Sequence, residues 1–441
     1  LQRSDANLTV RHTRSGLLEH PEISLMIHTS NTRPTLLFFL LCLLTVAAYY
    51  PGLSGDYMFD DMQNLLLNNR LDIDSLDLAS LEAASLSSGS GTLRRPVSMA
   101  SFALNRYFFG IAPYSHKVVN LAIHLLTGLA LLLLGRLILT SYRDYRAPGL
   151  SPGVIVWLPV IAGGIWLLHP LNLTSVLYIV QRMTSLAALF TVLGLCCYLY
   201  GRSRQLGGRP GWAWILTGLL AFGGLSVLSK ENGALLPLYM LVLEITLFRF
   251  RDANGGIDRK IVAFFLLFLL IPVLGFLLWL IYKPGPFLGG YLNRDFTLAE
   301  RLMTEARVLF FYLKQILIPS VSELGLYHDD IPISRGLLNP VTTLYAIVGL
   351  VTMLATSVLL NKKAPLVSLG ILWFFAGHML ESTILPLEIA HEHRNYLADY
   401  GILLAAGAAL LHAGKHLRTS LVQTVAPALF ICLFAYTTWA R

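Results

Sequence analysis

Charge is what this chain has least of. Asp, Glu, Lys and Arg make up 13% of its 441 residues, about half the share in a soluble globular domain. With 55% apolar residues, that shortage excludes an ordinary soluble enzyme. Cysteine is scarce too. Cys42, Cys196, Cys197 and Cys432 all sit inside apolar runs. They lack metal-ligand spacing, and the neighbours Cys196 and Cys197 are a poor disulfide pair, so they read as small packing side chains. No nucleotide-binding glycine motif, internal repeat or low-complexity tract occurs. The net charge of +8 does not point to nucleic acid, because the basic residues fall mainly in short loops between apolar runs.

What the chain has in abundance is apolar runs of roughly 20 residues, each long enough to cross a hydrocarbon core of about 30 Å as a helix. The fold class expected is therefore an all-α polytopic membrane protein. Eleven spans are predicted, at 35–51, 116–140, 154–169, 183–201, 212–229, 232–249, 260–282, 341–360, 364–380, 397–413 and 420–438. Residues 1–34 form a polar N-terminal segment. Met26 looks like a natural start followed by a signal-anchor, and the residues before it are expected to be disordered. Residues 35–441 read as one integral membrane domain with long loops at 52–115 and 283–340.

The positive-inside rule orients the bundle. With the N-terminus inside, Arg143 and Arg146, Arg202, Arg204 and Arg209, Arg249, Arg251, Arg259 and Lys260, Lys362 and Lys363, and Lys415 and Arg418 share the cytoplasmic side. The segment 300–318 is amphipathic and carries Arg301, Glu305 and Lys314. A crossing there would break the charge pattern, so it is expected to lie in the interface plane.

Polar residues then gather on the outer face. "GDYMFDDMQNLLLNN" brings Asp56, Asp60 and Asp61 directly after the first span. "RRPVSMASFALNRYFFG" opens with Arg94 and Arg95. His116, Asn120 and His124 share one helix face. His169, Asn172, Gln181 and Arg182 follow. "LSKENGALLP" supplies Lys230 and Glu231, and "LESTILPLEIAHEHRNYLADYG" supplies Glu381, Glu388, His391, Glu392, His393, Arg394 and Tyr396. Each has a plainer reading: a solvated acid or helix cap, an interhelical hydrogen bond, a snorkelling arginine, a turn. Five polar residues beside a span in "HEHRNY" are costly unless used or well hydrated.

Carboxylates near residue 60 and cations at 182, 230 and 394 together suit transfer from a lipid-linked phosphate. A carboxylate takes the proton of an acceptor hydroxyl, and Arg or Lys holds the departing phosphate. On this reading Asp60 or Asp61 is the general base, with Asp56 beside them. Arg182, Lys230, Arg394, His393 and His391 bind donor phosphate. Arg94, Arg95, His124, His169, Glu231, Glu392 and Tyr396 shape the donor or acceptor pocket. No motif demands a cofactor, and a divalent metal is left open, since i, i+2 spacing of His391 and His393 suits a loop rather than a helix. The rival reading is a transporter or flippase of lipid-linked sugars, which would place polar groups along a transmembrane path and on both faces.

The order "FDDMQNLLLNN", "RRPVSMASFALNRYFFG…YSHKVVNLAIHLLTG", "LLHPLNLTSVLYIVQRMTSLAALF", "LSKENGALLPLYMLVLE" and "EHRNYLADYG" resembles the membrane part of TMTC-type O-glycosyltransferases, in the GT-C superfamily, over roughly residues 35–415. The resemblance implies a polyprenyl-phosphate sugar donor and a catalytic acid in the first outer loop, at Asp60 or Asp61. It also implies donor-phosphate contacts at Arg182, Lys230 and Arg394. Many members of that family continue into tetratricopeptide repeats, and this chain ends soon after its last span. A compact form resembles bacterial GT-C enzymes that modify surface proteins, including type IV pilin arabinosyltransferases. That likeness implies an inner-membrane enzyme with its N-terminus in the cytoplasm, its site facing the periplasm, and a Ser or Thr hydroxyl of a protein such as pilin, or a glycan, as acceptor.

Overall fold

A computed structural model describes residues 32–417 and 420–441. The expectation of disorder before Met26 falls outside the described residues. Helices account for 75% of the structure, and no strand occurs among the described residues. The chain is an all-α, multi-pass membrane protein.

Among the described residues, seven helical segments are long and apolar enough to cross a membrane: Thr32–Ser54, Pro113–Tyr145, Ile179–Leu206, Trp212–Ser229, Glu231–Phe248, Arg259–Tyr282 and Thr342–Leu360. An eighth results if Pro152–Leu167 and Pro170–Leu177, bent by 51°, count as one. The last three predicted spans coincide with the shorter apolar helices Pro365–His378, Ala398–Leu410 and Val425–Ala440. Each of the eleven predicted runs thus falls on a helix, but only seven or eight meet the length needed for an independent crossing.

Burial separates centre from rim. In the apolar stretch of Ile179–Leu206, 72% of the residues are buried, against 17% in those of Arg259–Tyr282 and Thr342–Leu360. Small residues let the central helix take close neighbours. A Cβ at Gly194 would sit 2.9 Å from the Gly218 carbonyl, and one at Gly218 would sit 2.6 Å from the Gly194 carbonyl. Backbone-to-backbone approach of this kind is how membrane helices gain packing energy where lipid removes the hydrophobic drive.

The bend after residue 167 is made by His169 and Pro170. The His169 Nδ1 accepts the Leu171 amide at 3.2 Å and its Nε2 meets the Ile316 carbonyl at 2.9 Å. One ring therefore satisfies two backbone groups that a broken span would leave orphaned.

Loop 52–115 is largely helical. It contains Leu78–Ser85, capped by Asp77, and Pro96–Phe109. Its apolar side chains Leu65, Leu71, Ala84, Met99 and Phe102 form a second core with Tyr178, Ile179, Val180 and Met183. The loop is thereby fastened to the start of the central helix. The predicted interfacial segment is the helix Leu298–Leu317, opened by a capping box between Thr297 and Glu300. It is not among the spans. Its Arg301 and Glu305 are buried and turn toward the 381–388 segment, so its polar stripe faces protein.

Candidate active site at one end of the bundle

The acidic cluster divides into three different environments. Asp61 is fully buried. Its Oδ1 accepts the Val180 amide at 2.7 Å, and its Oδ2 accepts the Met58 amide at 3.2 Å. It is a strut between the loop and the start of the central helix. Asp60 is exposed, and its carboxylate has no hydrogen bond or ion pair among the described residues. Its backbone N–H donates to the Tyr178 hydroxyl at 3.0 Å. Phe59, just before it, has φ 43°, a left-handed conformation that a bulky residue adopts only when its surroundings enforce it. Asp56 is also exposed and lies near Lys117. The Lys117 ammonium is tied to the carbonyls of Gly52 at 3.1 Å and Gly55 at 2.8 Å.

Burial pushes the Asp61 carboxyl up to about 6, against the pull of the Val180 and Met58 amides. A carboxyl whose pKa rises on folding favours the folded state most at low pH, and that advantage is lost as pH rises through the folded value. Between pH 4 and pH 7 the stability of the native chain relative to an Asp61→Asn variant should therefore fall, by up to about 3 kcal/mol. Thermal unfolding of both proteins in detergent across this range checks it. A constant difference between the two would show that Asp61 does not titrate in that window.

The cations also differ. Arg182 is fully buried and every arm is engaged. Its Nε donates to Asn120 at 2.6 Å and one Nη to the Ser101 carbonyl at 3.1 Å. The other Nη donates to Asn105 at 2.7 Å and the His116 carbonyl at 3.0 Å. The guanidinium also stacks 4.4 Å from the Phe102 ring centroid. Four of its five N–H groups are thus spent on protein acceptors and the side chain is fully buried, so Arg182 is held by structure rather than presented to a ligand. Sequence alone could not separate the two roles, because a buried arginine and a phosphate-binding arginine look alike until Asn105 and Asn120 are placed beside it.

Lys230 and Arg394, from distant parts of the chain, do meet. The Lys230 ammonium lies 2.9 Å from Glu381 and donates to Thr184 at 3.0 Å. Arg394 lies 3.9 Å from Glu381 and 3.6 Å from Glu305, and Glu305 pairs with Arg301 at 2.8 Å. Arg95 joins through Glu231 at 3.0 Å, next to Lys230 in the chain. Arg94 and Arg95 both have left-handed backbones, with φ 56° and 49°. Gly91 also has positive φ, and a Cβ there would collide with the Glu231 carboxylate. Four cations thus face three carboxylates. Burial alone would raise the Glu381 carboxyl, but Lys230 and Arg394 hold it below the ordinary range.

A cavity of about 40 Å³, room for a water or two, opens beside this cluster, lined by Thr184, Thr191, Asn232, Tyr239, His393 and Arg394 among others. His393 is buried, and its pKa is pushed well below the ordinary value by burial and by Lys230, so the ring is neutral near pH 7. It stacks on His391 at 5.0 Å. His391 in turn contacts Tyr327 at 5.9 Å, and Tyr327 meets Phe59 edge-on at 4.8 Å. A row of rings thus runs from the Asp60 loop to the cation cluster.

Two of the other predicted residues, His124 and Glu392, are occupied by structure. His124 bonds the Tyr396 hydroxyl at 2.8 Å and the Leu167 carbonyl at 3.0 Å. Glu392 accepts the Gly325 amide at 2.7 Å and pairs with Arg441 at 2.6 Å. Arg94 reaches only the Leu86 carbonyl, at 3.4 Å. Among the described residues no group of three or more His, Cys, Asp or Glu side chains could hold a metal ion. His391 and His393 lie face to face instead. The sequence reading left Arg301, Glu305, Glu381, Thr184 and Tyr327 out of the site. The i, i+4 spacing of Arg301 and Glu305 on an amphipathic helix was the one available signal.

The chain is 29% identical over 212 residues to the mouse protein O-mannosyl-transferase TMTC2, covering 46% of this chain and 23% of that protein. It is 25% identical over 331 residues to Drosophila melanogaster Tmtc2, covering 70% of this chain and 32% of the relative. Human TMTC4, also a protein O-mannosyl-transferase, is 25% identical over 197 residues, covering 43% and 26%. The chain therefore spans about a quarter to a third of the length of the curated relatives it matches. No family model matches it, and no solved structure does.

Proposed function

We propose that this chain is a membrane glycosyltransferase that moves a sugar, mannose in the first instance, from a polyprenyl phosphate to a Ser or Thr hydroxyl of a protein. The observation that carries the reading is the meeting of Lys230 and Arg394 around Glu381 beside a small cavity, with the unengaged Asp60 carboxylate at the other end of the ring row. The similarity to protein O-mannosyl-transferases supports the sugar and the acceptor class.

In this mechanism the Asp60 carboxylate takes the proton of the acceptor hydroxyl as that oxygen attacks the anomeric carbon. The bond from that carbon to the phosphate oxygen breaks, and the lipid monophosphate leaves with the electron pair. Lys230 and Arg394 hold the developing charge. To do so they exchange Glu381 for phosphate. Asp61 positions the loop, and Arg182 fixes the start of the helix that carries Thr184. The basic loops at the far end of the spans favour an extracytoplasmic site, the periplasmic face if the membrane is a bacterial inner one. A pilin is one acceptor of this class.

The test is transfer in detergent. Purified chain, a labelled polyprenyl-phosphate mannose and a Ser/Thr-rich peptide should yield labelled peptide with no second compartment present. Movement of labelled lipid across vesicles without peptide labelling would instead favour a flippase.

A further inference from the structure

A second cleft, of about 530 Å³, lies at the opposite end of the central helix. From Arg182 to Leu206 that helix has 25 residues, roughly 37 Å at 1.5 Å per residue, so the cleft and the candidate active site belong to opposite faces of the bundle. Its floor is a buried ion network. Arg202 pairs with Glu244 at 3.0 Å and Asp258 at 3.2 Å, and the Tyr198 hydroxyl donates to Glu244 at 2.6 Å. Its walls are the 207–212 turn and the 249–258 hairpin. The hairpin starts with two left-handed residues, Arg249 and Phe250.

The acids of this cleft are already used. The Asp252 Oδ1 accepts the amides of Asn254 at 2.9 Å and Gly256 at 2.8 Å. Asp258 caps the next helix through the amides of Lys260 and Ile261 as well as pairing with Arg202. The cations of the rim are not. Arg209, Arg259 and Lys260 are exposed, line the cleft, and have no side-chain hydrogen bond or ion pair among the described residues. Trp212 completes the wall, packed on Phe264 at 6.1 Å.

We propose that this cleft binds the headgroup of an anionic phospholipid. Three uncommitted cations around a preformed polar cleft suit a phosphodiester, and a tryptophan beside them suits the depth of the lipid headgroups. What selects a lipid over free phosphate is the helix Arg259–Tyr282. It begins at the cleft, has only 17% of the residues in its apolar stretch buried, and exposes Leu266, Leu267, Leu270 and Ile271. An acyl chain lies along that face while its headgroup occupies the cleft.

The experiment is native mass spectrometry of the full chain in detergent with equimolar dioleoyl phosphatidylglycerol and dioleoyl phosphatidylcholine. The chain should retain phosphatidylglycerol preferentially, and the preference should fall as salt is raised. Combined Arg209→Gln, Arg259→Gln and Lys260→Gln should lower retention at least about tenfold. A control with Arg143→Gln, Lys362→Gln and Lys363→Gln, outside the cleft, should keep it. Equal loss in the control, or no preference in the unaltered chain, overturns the site. Displacement of the lipid by inorganic phosphate at the same concentration overturns the lipid assignment. If the triple variant fails to fold, the three single substitutions replace it, and unchanged retention in all of them overturns the site.

Discussion

Asp60→Asn should abolish peptide labelling, by about a hundredfold or more, while the chain still inserts and purifies at the level of the unaltered protein. The asymmetry of the acidic cluster leads to this result. Asp61 spends both carboxylate oxygens on the amides of Val180 and Met58 and is fully buried, so a substrate hydroxyl does not reach it. Asp56 is exposed and sits within the field of Lys117, which the carbonyls of Gly52 and Gly55 already fix. Asp56 and Asp60 both expose carboxylates without a hydrogen bond, but Asp60 lies away from Lys117, on a backbone held in place by Tyr178 and by the left-handed Phe59. The asparagine is isosteric and keeps the backbone contact, so folding is untouched and only proton uptake is lost. Asp56→Asn should keep most of the activity. Labelling assays on the two variants, with protease protection to confirm insertion, check both statements. An Asp60→Asn enzyme with more than about a third of normal turnover would remove Asp60 as the base.

The membrane class was legible because lipid imposes a simple rule: about 20 apolar residues per crossing. Each of the eleven runs is a helix for that reason. The same rule could not say that Pro365–His378 would be too short by itself, or that His169 and Pro170 would bend their segment. Those features depend on neighbours that satisfy the backbone. The site was legible in part. Lys230 and Arg394 stood out as charges beside spans, where they are costly unless used. Arg182 stood out for the same reason, yet Asn105, Asn120 and the Ser101 and His116 carbonyls absorb it. Those partners come from the loop and from a different helix, and no spacing rule links them. Glu381 was visible in the sequence but not its function as counter-ion to two cations more than 10 residues away in either direction. Three-dimensional pairing of opposite charges leaves no periodic trace.

Removing Lys230 separates a binding role from a packing role. In Lys230→Ala the Glu381 carboxylate keeps only Arg394, at 3.9 Å, and stays buried. Breaking a buried pair from one side costs about 3–5 kcal/mol, so the single variant should unfold at markedly lower temperature. Adding Glu381→Ala removes the stranded charge, and most of that loss should return. Donor use should behave differently. If phosphate replaces Glu381 on the Lys230 ammonium, the KM for polyprenyl-phosphate sugar rises about tenfold or more in Lys230→Ala and stays raised in the double variant, because the cation is still missing. Glu381→Gln alone should do the reverse: it leaves Lys230 without an anionic competitor and Arg394 with Glu305 only, and KM falls. A full set of unfolding temperatures and KM values for the three variants distinguishes the cases. Recovery of both stability and KM in the double variant would make Lys230 a structural partner of Glu381 and nothing more. Recovery of stability without KM would leave phosphate as the ligand that the Lys230–Arg394 pair is built to exchange for its own carboxylate.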